Sequence, residues 1–122
     1  MDVQTCTIAV IDDDLRVRES LANLLASCGY EVGSYESSRQ FLELDRLFRV
    51  SCTITDVQMR QMSGFGLLQH LKWSNCAVPV IIITGEQSEG STAFYLENGA
   101  AGFFKKPVDG NALVELLSRV CS

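Results

Sequence analysis

Four short polar groups contain the side chains of this sequence that are suited to chemistry, and each follows an apolar run. They are Asp12-Asp13-Asp14, Asp56, Thr84-Gly85 and Lys105-Lys106-Pro107. Clustered carboxylates repel one another, so a cation must offset them, and hard oxygen ligands favour Mg²⁺ or Mn²⁺. A carboxylate beside such a metal, a hydroxyl and an ammonium group suits phosphoryl transfer, because metal and ammonium neutralise the phosphoryl oxygens while the carboxylate attacks.

The elements that must position these groups alternate between β-rich apolar runs and segments with helical spacing. The predicted strands are 7–11, 31–35, 52–55, 78–84 and 102–104, and the predicted helices are 15–28, 38–48, 65–73, 88–98 and 110–120. Five strand–helix repeats predict an α/β fold, a parallel sheet with helices on both faces. Sites in such sheets form beyond the carboxyl ends of the strands, so we expect the acids, the hydroxyl and the lysine to converge there.

The composition is that of one acidic globular domain. Of the 122 residues, 47% are hydrophobic and 20% are charged, which excludes an intrinsically disordered chain. The net charge of −5 argues against direct nucleic-acid binding by this domain. The sequence shows no basic segment followed by an apolar run at its start and no long apolar stretch. We therefore expect a cytoplasmic protein with no membrane contact.

The five cysteines lack the spacing of a metal site. They are Cys6, Cys28, Cys52, Cys76 and Cys121. No two have C-x-x-C spacing, and with a single histidine, His70, a zinc site is not expected. Because they fall mainly in apolar runs, we interpret them as small core residues of a protein in a reducing compartment.

Five motifs follow one another at the predicted strand ends. They are V-I-D-D at 10–13, T-D-V-Q-M at 55–59, M-S-G at 62–64, I-T-G at 83–85 and F-F-K-K-P at 103–107. Together they resemble the receiver domain of two-component response regulators over nearly the whole chain, and the finer pattern is most similar to FixJ-type receivers. The resemblance implies one receiver domain over 1–122, with a flavodoxin-like (βα)5 fold and strand order 2-1-3-4-5. It stands alone or forms the amino-terminal part of a longer regulator.

The resemblance also implies a phosphoacceptor and a metal site. Asp56 would accept the phosphoryl group. Asp13 and Asp56 would bind Mg²⁺, or Mn²⁺, directly together with the backbone carbonyl of Gln58, and Asp12 would act mainly through a metal-bound water. The sequence departs from the family in having Arg60 where a proline is usual.

Further roles follow from the same resemblance. Thr84 and Lys106 would bind the phosphoryl group once it forms, and Thr84 and Phe103 would switch position in response. Gln58 and Glu86 would flank the path of the water that hydrolyses the phosphoryl group. Other interpretations stay open: Thr84 as a plain strand residue, Phe103 as a core aromatic and Glu86 as a solvated loop acid.

Three residues next to the predicted site residues are given no chemical role. Asp14 is interpreted as the N-cap of the first helix, and Lys105 as a solvated side chain. The resemblance implies a cis peptide bond before Pro107, since only X-Pro bonds reach the cis form at low cost.

The function predicted first is a phosphorylation switch that receives its phosphoryl group from a sensor histidine kinase. It catalyses its own modification rather than the turnover of a metabolite, so it is not an enzyme in the ordinary sense. The fourth helix, fifth strand and fifth helix would form the switch surface, used for a homodimer or an output partner such as a DNA-binding domain. The alternatives are a phosphorylation-independent module of the same fold and a phosphatase with an aspartate nucleophile. The phosphatase is disfavoured because Gln58 stands where a second aspartate is needed.

Overall fold

Five parallel strands form one sheet in the order β2-β1-β3-β4-β5, which confirms the predicted fold class and strand order. The computed structural model describes residues 6–37, 40–41, 50–56, 78–85 and 91–121. The strands are β1 Thr7–Ile11, β2 Glu31–Tyr35, β3 Cys52–Asp56, β4 Val80–Thr84 and β5 Gly102–Lys105. Every residue of β3 and β4 is buried, as expected for central strands covered on both faces.

Three strand ends differ from the prediction. The strand β4 begins at Val80, two residues later than expected, because Pro79 has no N–H to give to the ladder. Its carbonyl still accepts the Thr53 N–H at 2.9 Å. The strands β3 and β5 each run one residue further than predicted, to Asp56 and Lys105, since both residues pair with the end of β4.

Three helices are described over their whole length. They are Leu15–Ser27, Ser91–Glu97 and Gly110–Val120, called here the 15–27, 91–97 and 110–120 helices. The 15–27 helix begins as predicted, with Asp14 as its N-cap accepting the Arg16 N–H at 2.9 Å. It ends one residue earlier than predicted and is followed by Gly29 at a φ of 94°, a conformation that glycine adopts without a steric penalty.

The remaining predicted helices lie partly or wholly outside the described residues. Gln40 and Phe41 are helical, and Ser37 Oγ accepts the Gln40 N–H at 3.1 Å, as the cap of the predicted second helix would. The predicted helix 65–73 falls outside the described part of the chain. The fourth helix is described only from Ser91 onward.

Two hydrophobic clusters cover the two faces of the sheet. One includes Leu21, Leu25, Leu113 and Leu117, so the 15–27 and 110–120 helices pack on the same face. The other face is covered by Phe41, with Tyr95 of the 91–97 helix and Phe103 packed against the cluster. The helices thus hold β1, β3, β4 and β5 in place, and the carboxyl ends of those strands carry the polar groups.

Candidate functional site

The carboxyl edge of the sheet brings together the predicted acids and the lysine. Asp12 directly follows β1, Asp56 is the last residue of β3, and Lys106 directly follows β5. Carboxylate oxygens of Asp12, Asp13 and Asp56 lie within 4.8 Å of one another. Asp12 is fully buried and Asp56 is 5% exposed, whereas Asp13 is exposed. Two of the three acids are thus largely withdrawn from water, and the third opens toward solvent.

The Lys106 ammonium group lies between the two buried carboxylates. Its Nζ atom is 2.8 Å from Asp56 Oδ2 and 2.8 Å from Asp12 Oδ2. The contact with Asp56 is a directed hydrogen bond, whereas the contact with Asp12 is ionic, because Asp12 Oδ2 has no hydrogen-bond partner. Within the described ranges, this lysine is therefore a cation that offsets both buried acids.

Hydrogen bonds fix Asp12 on several sides. Its N–H donates to the Tyr35 carbonyl at 3.1 Å, and its Oδ1 accepts the Asp14 N–H at 2.9 Å. The Arg18 guanidinium donates to its backbone carbonyl at 2.6 Å. Sequence reasoning missed Arg18, although its position one turn into a helix that starts after three acids was a usable signal. With these bonds made, Asp12 Oδ2 is the atom left to face a cation.

Burial and charge shift two pKa values at this edge. Burial raises the pKa of Asp12, and repulsion by Asp56 adds a smaller contribution, while Lys106 and the Asp14 N–H oppose the rise. Burial acts to lower the pKa of Lys106, but its close contacts with the carboxylates of Asp12 and Asp56 outweigh that effect and raise the pKa. Repulsion within a cluster of acids is expected to raise a carboxyl pKa. For Asp12 the pKa is raised, but desolvation is a larger cause than repulsion by Asp56.

The donor set fits a hard divalent cation. All three side chains offer carboxylate oxygens, and Asp12 Oδ2 is buried without a hydrogen-bond partner. Mg²⁺ and Mn²⁺ prefer such oxygens, and Mg²⁺ is usually held by one or two carboxylates with several waters. Asp13, which is exposed, gives the group a ligand on its solvent side. The residues present therefore suit the metal that the sequence predicts.

Comparisons with known proteins identify the family. A family model described as the response regulator receiver domain matches residues 8–118. This chain belongs to the response regulator receiver family. The receiver is 37% identical over 111 residues to the transcriptional regulatory protein FixJ of Azorhizobium caulinodans, covering 91% of this chain and 53% of that protein. It is 32% identical to the transcriptional regulatory protein TdiR of Thauera aromatica, covering 92% and 49% respectively.

Solved structures agree with this assignment. The receiver superposes on the structure of FixJ-N with a TM-score of 0.84 and 30% identity, covering 98% of this chain and 95% of that one. The match to the response regulator StyR has a TM-score of 0.88 and 33% identity, covering 97% and 60%. The prediction of a FixJ-type receiver is confirmed. The chain spans about half the length of the curated relatives it matches.

The ends of β4 and β5 are tied together in the receiver. Thr84, 4% exposed, pairs with Lys105, and its carbonyl accepts the Lys106 N–H at 2.8 Å. Lys105 is exposed, as predicted. The peptide bond between Lys106 and Pro107 is cis, as the resemblance implies. The chain thus turns directly after the lysine that reaches the acids.

Phe103, the predicted switch residue, packs against the 91–97 helix. Its ring stacks on Tyr95 with centroids 5.8 Å apart and an interplanar angle of 26°, and Tyr95 makes an edge contact with Phe94 at 5.2 Å. Sequence reasoning missed Tyr95, because nothing in its spacing marks it as the partner of a residue on β5. Phe94 and Leu96 are among the exposed large apolar residues, so the described part of the predicted switch surface is partly apolar.

Several predicted site residues lie outside the described part of the chain. Gln58, with Arg60 two positions later, and Glu86 belong to this group, so their predicted roles stay predictions. Within the described residues, no helix is both long enough and apolar enough to cross a bilayer.

Proposed function

We propose that this receiver accepts a phosphoryl group on Asp56 from a sensor histidine kinase in a Mg²⁺-dependent reaction. The observation that carries the proposal is the Lys106 ammonium group, 2.8 Å from carboxylate oxygens of both Asp12 and Asp56. A carboxylate that lies beside a fixed positive charge at the edge of the sheet is suited to attack phosphorus, where negative charge must be balanced.

The chemical step follows from the positions of the side chains. An Asp56 carboxylate oxygen forms the bond to phosphorus while the bond to the kinase histidine nitrogen, or to the acetate oxygen of acetyl phosphate, breaks. Lys106 already contacts Asp56 Oδ2, so its ammonium group is placed to pair with a phosphoryl oxygen after transfer, as is the buried hydroxyl-bearing Thr84. Asp13, Asp56 and the Gln58 carbonyl would hold Mg²⁺ directly, with Asp12 acting mainly through a water, and the ion would supply charge neutralisation.

Phosphorylation is tested with acetyl phosphate and Mg²⁺, followed by intact-mass spectrometry. The parent chain should gain one phosphoryl mass, Asp56→Asn should gain none, and the matched control Asp14→Asn, which keeps an N-capping side chain, should behave as the parent. A full mass gain in Asp56→Asn would move the phosphosite elsewhere. If neither acetyl phosphate nor beryllofluoride labels Asp56 in the parent, the chain is the phosphorylation-independent module instead.

Metal binding is tested separately, because it does not require phosphoryl transfer. A ligand that binds only the native state raises the melting temperature by mass action. We expect millimolar Mg²⁺ or Mn²⁺ to raise the melting temperature of the parent and of Asp14→Asn, and to raise that of Asp13→Asn much less. A melting temperature of the parent that does not respond to either ion would contradict the metal assignment.

The output of the switch is proposed to pass through Thr84 and Phe103. The phosphoryl group would draw Thr84 toward Asp56, and Phe103 would leave its stack on Tyr95 to occupy the space released. That movement would bias the switch surface for a homodimer or for an output domain, such as a DNA-binding domain, in the cytoplasm. Unchanged amide NMR shifts over 91–121 after modification of Asp56 would exclude this route.

The lifetime of the phosphoryl group is proposed to depend on Gln58 and Glu86. Gln58 can hydrogen-bond the attacking water, and Glu86 can orient it or accept its proton. Gln58→Ala and Glu86→Ala should then lose phosphate more slowly than the parent, singly and together. If all variants decay at the parent rate, control of the lifetime belongs to other residues, with Arg60 as the next to test.

A further inference from the structure

The guanidinium group of Arg18 reaches the loop that carries two of the three acids of the site. Its Nη1 atom donates a hydrogen bond to the backbone carbonyl of Asp12 at 2.6 Å. Asp12 directly follows β1, and Asp14 caps the 15–27 helix, so residues 12–14, called here the 12–14 loop, join these two elements. Arg18 thus connects the helix to the far end of the loop from which it starts.

The geometry of the helix explains how this contact forms. Side chains of an α-helix lean toward its amino end. Arg18 lies one turn inside that end, because its N–H donates to the Asp14 carbonyl at 3.1 Å. A long side chain at this position can reach back past the N-cap. Arg16, two positions earlier, lies on a different side of the helix and is exposed.

The helix alone gives no reason for a cation at this place. The free N–H groups at the start of a helix disfavour positive charge, and the first turn of this helix contains no acidic residue. The half-buried Arg18 is instead favoured by the 12–14 loop, whose carbonyl it binds and whose acids carry the opposite charge. Its position is therefore better explained by the loop than by the stability of the helix.

The hydrogen bond fixes the peptide group that joins Asp12 to Asp13. Because a peptide group is planar, holding the Asp12 carbonyl also sets the direction in which the chain enters Asp13. The Asp12 N–H is held by the Tyr35 carbonyl at 3.1 Å, and its Oδ1 atom by the Asp14 N–H at 2.9 Å. Asp12 is fully buried, but Asp13 is exposed, so burial does not hold Asp13 in place.

We propose that Arg18 is a positioning residue of the metal site, which holds the 12–14 loop so that Asp12 and Asp13 are ordered before the ion arrives. This inference rests on the proposed Mg²⁺ site. In the contact described above, Arg18 binds a main-chain carbonyl and leaves the carboxylate oxygens to the ion. Ligands that are ordered in advance lose less conformational freedom on binding, and loss of a group that orients a ligand lowers metal affinity about ten-fold or more.

Charge and positioning predict changes of opposite sign when Arg18 is replaced. A positive charge near a cation site repels the ion, so an effect of charge alone would make metal binding tighter in Arg18→Met. Positioning makes it weaker, although the repelling charge is gone. Methionine keeps an apolar side chain with a good helix propensity. The matched control is Arg16→Met, which removes the same charge from the same helix without removing the bond to the loop.

The probe must be a hard ion, because the chain has free thiols. Cys52 is buried, as the sequence predicts for the cysteines, whereas Cys28 is exposed, contrary to that prediction. Soft thiolates select ions such as Zn²⁺, while carboxylates suit Mg²⁺ and Mn²⁺. Mn²⁺ is therefore used, and the electron paramagnetic resonance signal of the free ion measures how much has bound.

Binding of Mn²⁺ is measured for the parent and the variants after far-ultraviolet circular dichroism has confirmed that each is folded. We expect the dissociation constant to rise about ten-fold in Arg18→Met and to stay at or below the parent value in Arg16→Met. Arg18→Lys, which keeps the charge and a donor, should recover part of the affinity. If Arg18→Met does not fold, Arg18→Gln takes its place in the same comparison.

A second measurement needs no metal. The Asp14 N–H is bound to Asp12 Oδ1, so its exchange with deuterium reports whether the loop is held. We expect this proton to exchange several-fold faster in Arg18→Met than in the parent, and at the parent rate in Arg16→Met. Equal exchange in all three chains would show that Arg18 does not order the loop.

The metal titration separates this inference from the function on which it rests. A parent that binds Mn²⁺ and an Arg18→Met variant that binds it as tightly or more tightly would overturn the positioning role and leave the metal site intact. The same holds if Arg18→Met unfolds more easily while the dissociation constant of its folded form is unchanged, because Arg18 would then serve stability alone. A parent that binds no Mn²⁺ would contradict the metal site itself, and this inference with it.

Discussion

The two edges of the sheet carry different titratable side chains: at the carboxyl edge, acids lie around a lysine, whereas at the amino edge free thiols lie among apolar residues. Lys106 lies between Asp12 and Asp56 at the first edge. At the second, the Cys6 Sγ atom donates a hydrogen bond to the Cys121 carbonyl at 2.8 Å. The strand β3 joins the two edges, because Cys52 is its first residue and Asp56 its last.

The difference follows from the direction of the helices. Helices begin at the carboxyl edge, where their free N–H groups favour anions, and Asp14 and Asp109 cap two of them there. Helices end at the amino edge, where Cys28 and Cys121 are the C-caps and exposed carbonyls disfavour anions. Carboxylates are therefore stabilised at one edge, while neutral or weakly acidic thiols are tolerated at the other. The same fold provides two chemically different edges.

Removal of the lysine should have the largest effect on stability, because it takes away the positive charge that lies between two buried carboxylates. Lys106→Met should lower the free energy of unfolding by about 2 kcal/mol without divalent ions, less than for a fully buried pair because Lys106 is 22% exposed. Urea denaturation in EDTA measures it. The matched control is Lys105→Met, whose exposed side chain should change stability by less than about 0.5 kcal/mol. Equal losses in the two variants would show that Lys106 does not stabilise the acids.

Truncation at the amino edge should have the next largest effect. Cys52→Ala removes a fully buried sulfur atom that packs with Ile8 and Ile54, and we expect a loss of about 1.5 kcal/mol. Cys28→Ala, at an exposed C-cap of the same edge, should be nearly neutral. Thermal or urea unfolding under reducing conditions distinguishes them. If Cys28→Ala lowers the free energy of unfolding as much as Cys52→Ala does, burial of the side chain does not explain the loss at Cys52.

The smallest expected effect on stability is that of Asp12→Asn, and it depends on pH. A carboxyl group whose pKa is raised on folding stabilises the native state below its ordinary pKa of 3.8, and this contribution is lost as the pH rises through the raised value. In EDTA, Asp12→Asn should therefore gain stability relative to the parent between pH 4 and pH 8, by ~1 kcal/mol. Urea denaturation across that range measures the difference. A gain that does not grow with pH would show that Asp12 is not the group responsible.

Much of the carboxyl edge could be predicted from the sequence, because each polar residue there ends an apolar strand. That rule alone places Asp12, Asp56 and a lysine there, and the resemblance to the receiver family selects Lys106 over Lys105. The amino edge could not be predicted in the same way. Cys121 caps the end of a helix and Cys6 precedes a strand, and no local spacing relates two residues that lie 115 positions apart and meet through the fold. The stack of Phe103 on Tyr95 was missed for the same reason, since it joins a strand to a helix that precedes it.

The hydrogen bond from the Lys106 N–H to the Thr84 carbonyl has a consequence for timing. A backbone proton in such a bond exchanges with deuterium only when the bond opens, and here opening separates the end of β4 from the lysine that reaches the acids. The exchange rate of this one proton would therefore report how readily the end of β4 and the start of the loop after β5 separate. It would do so in the resting protein, before any phosphoryl donor or metal ion is added.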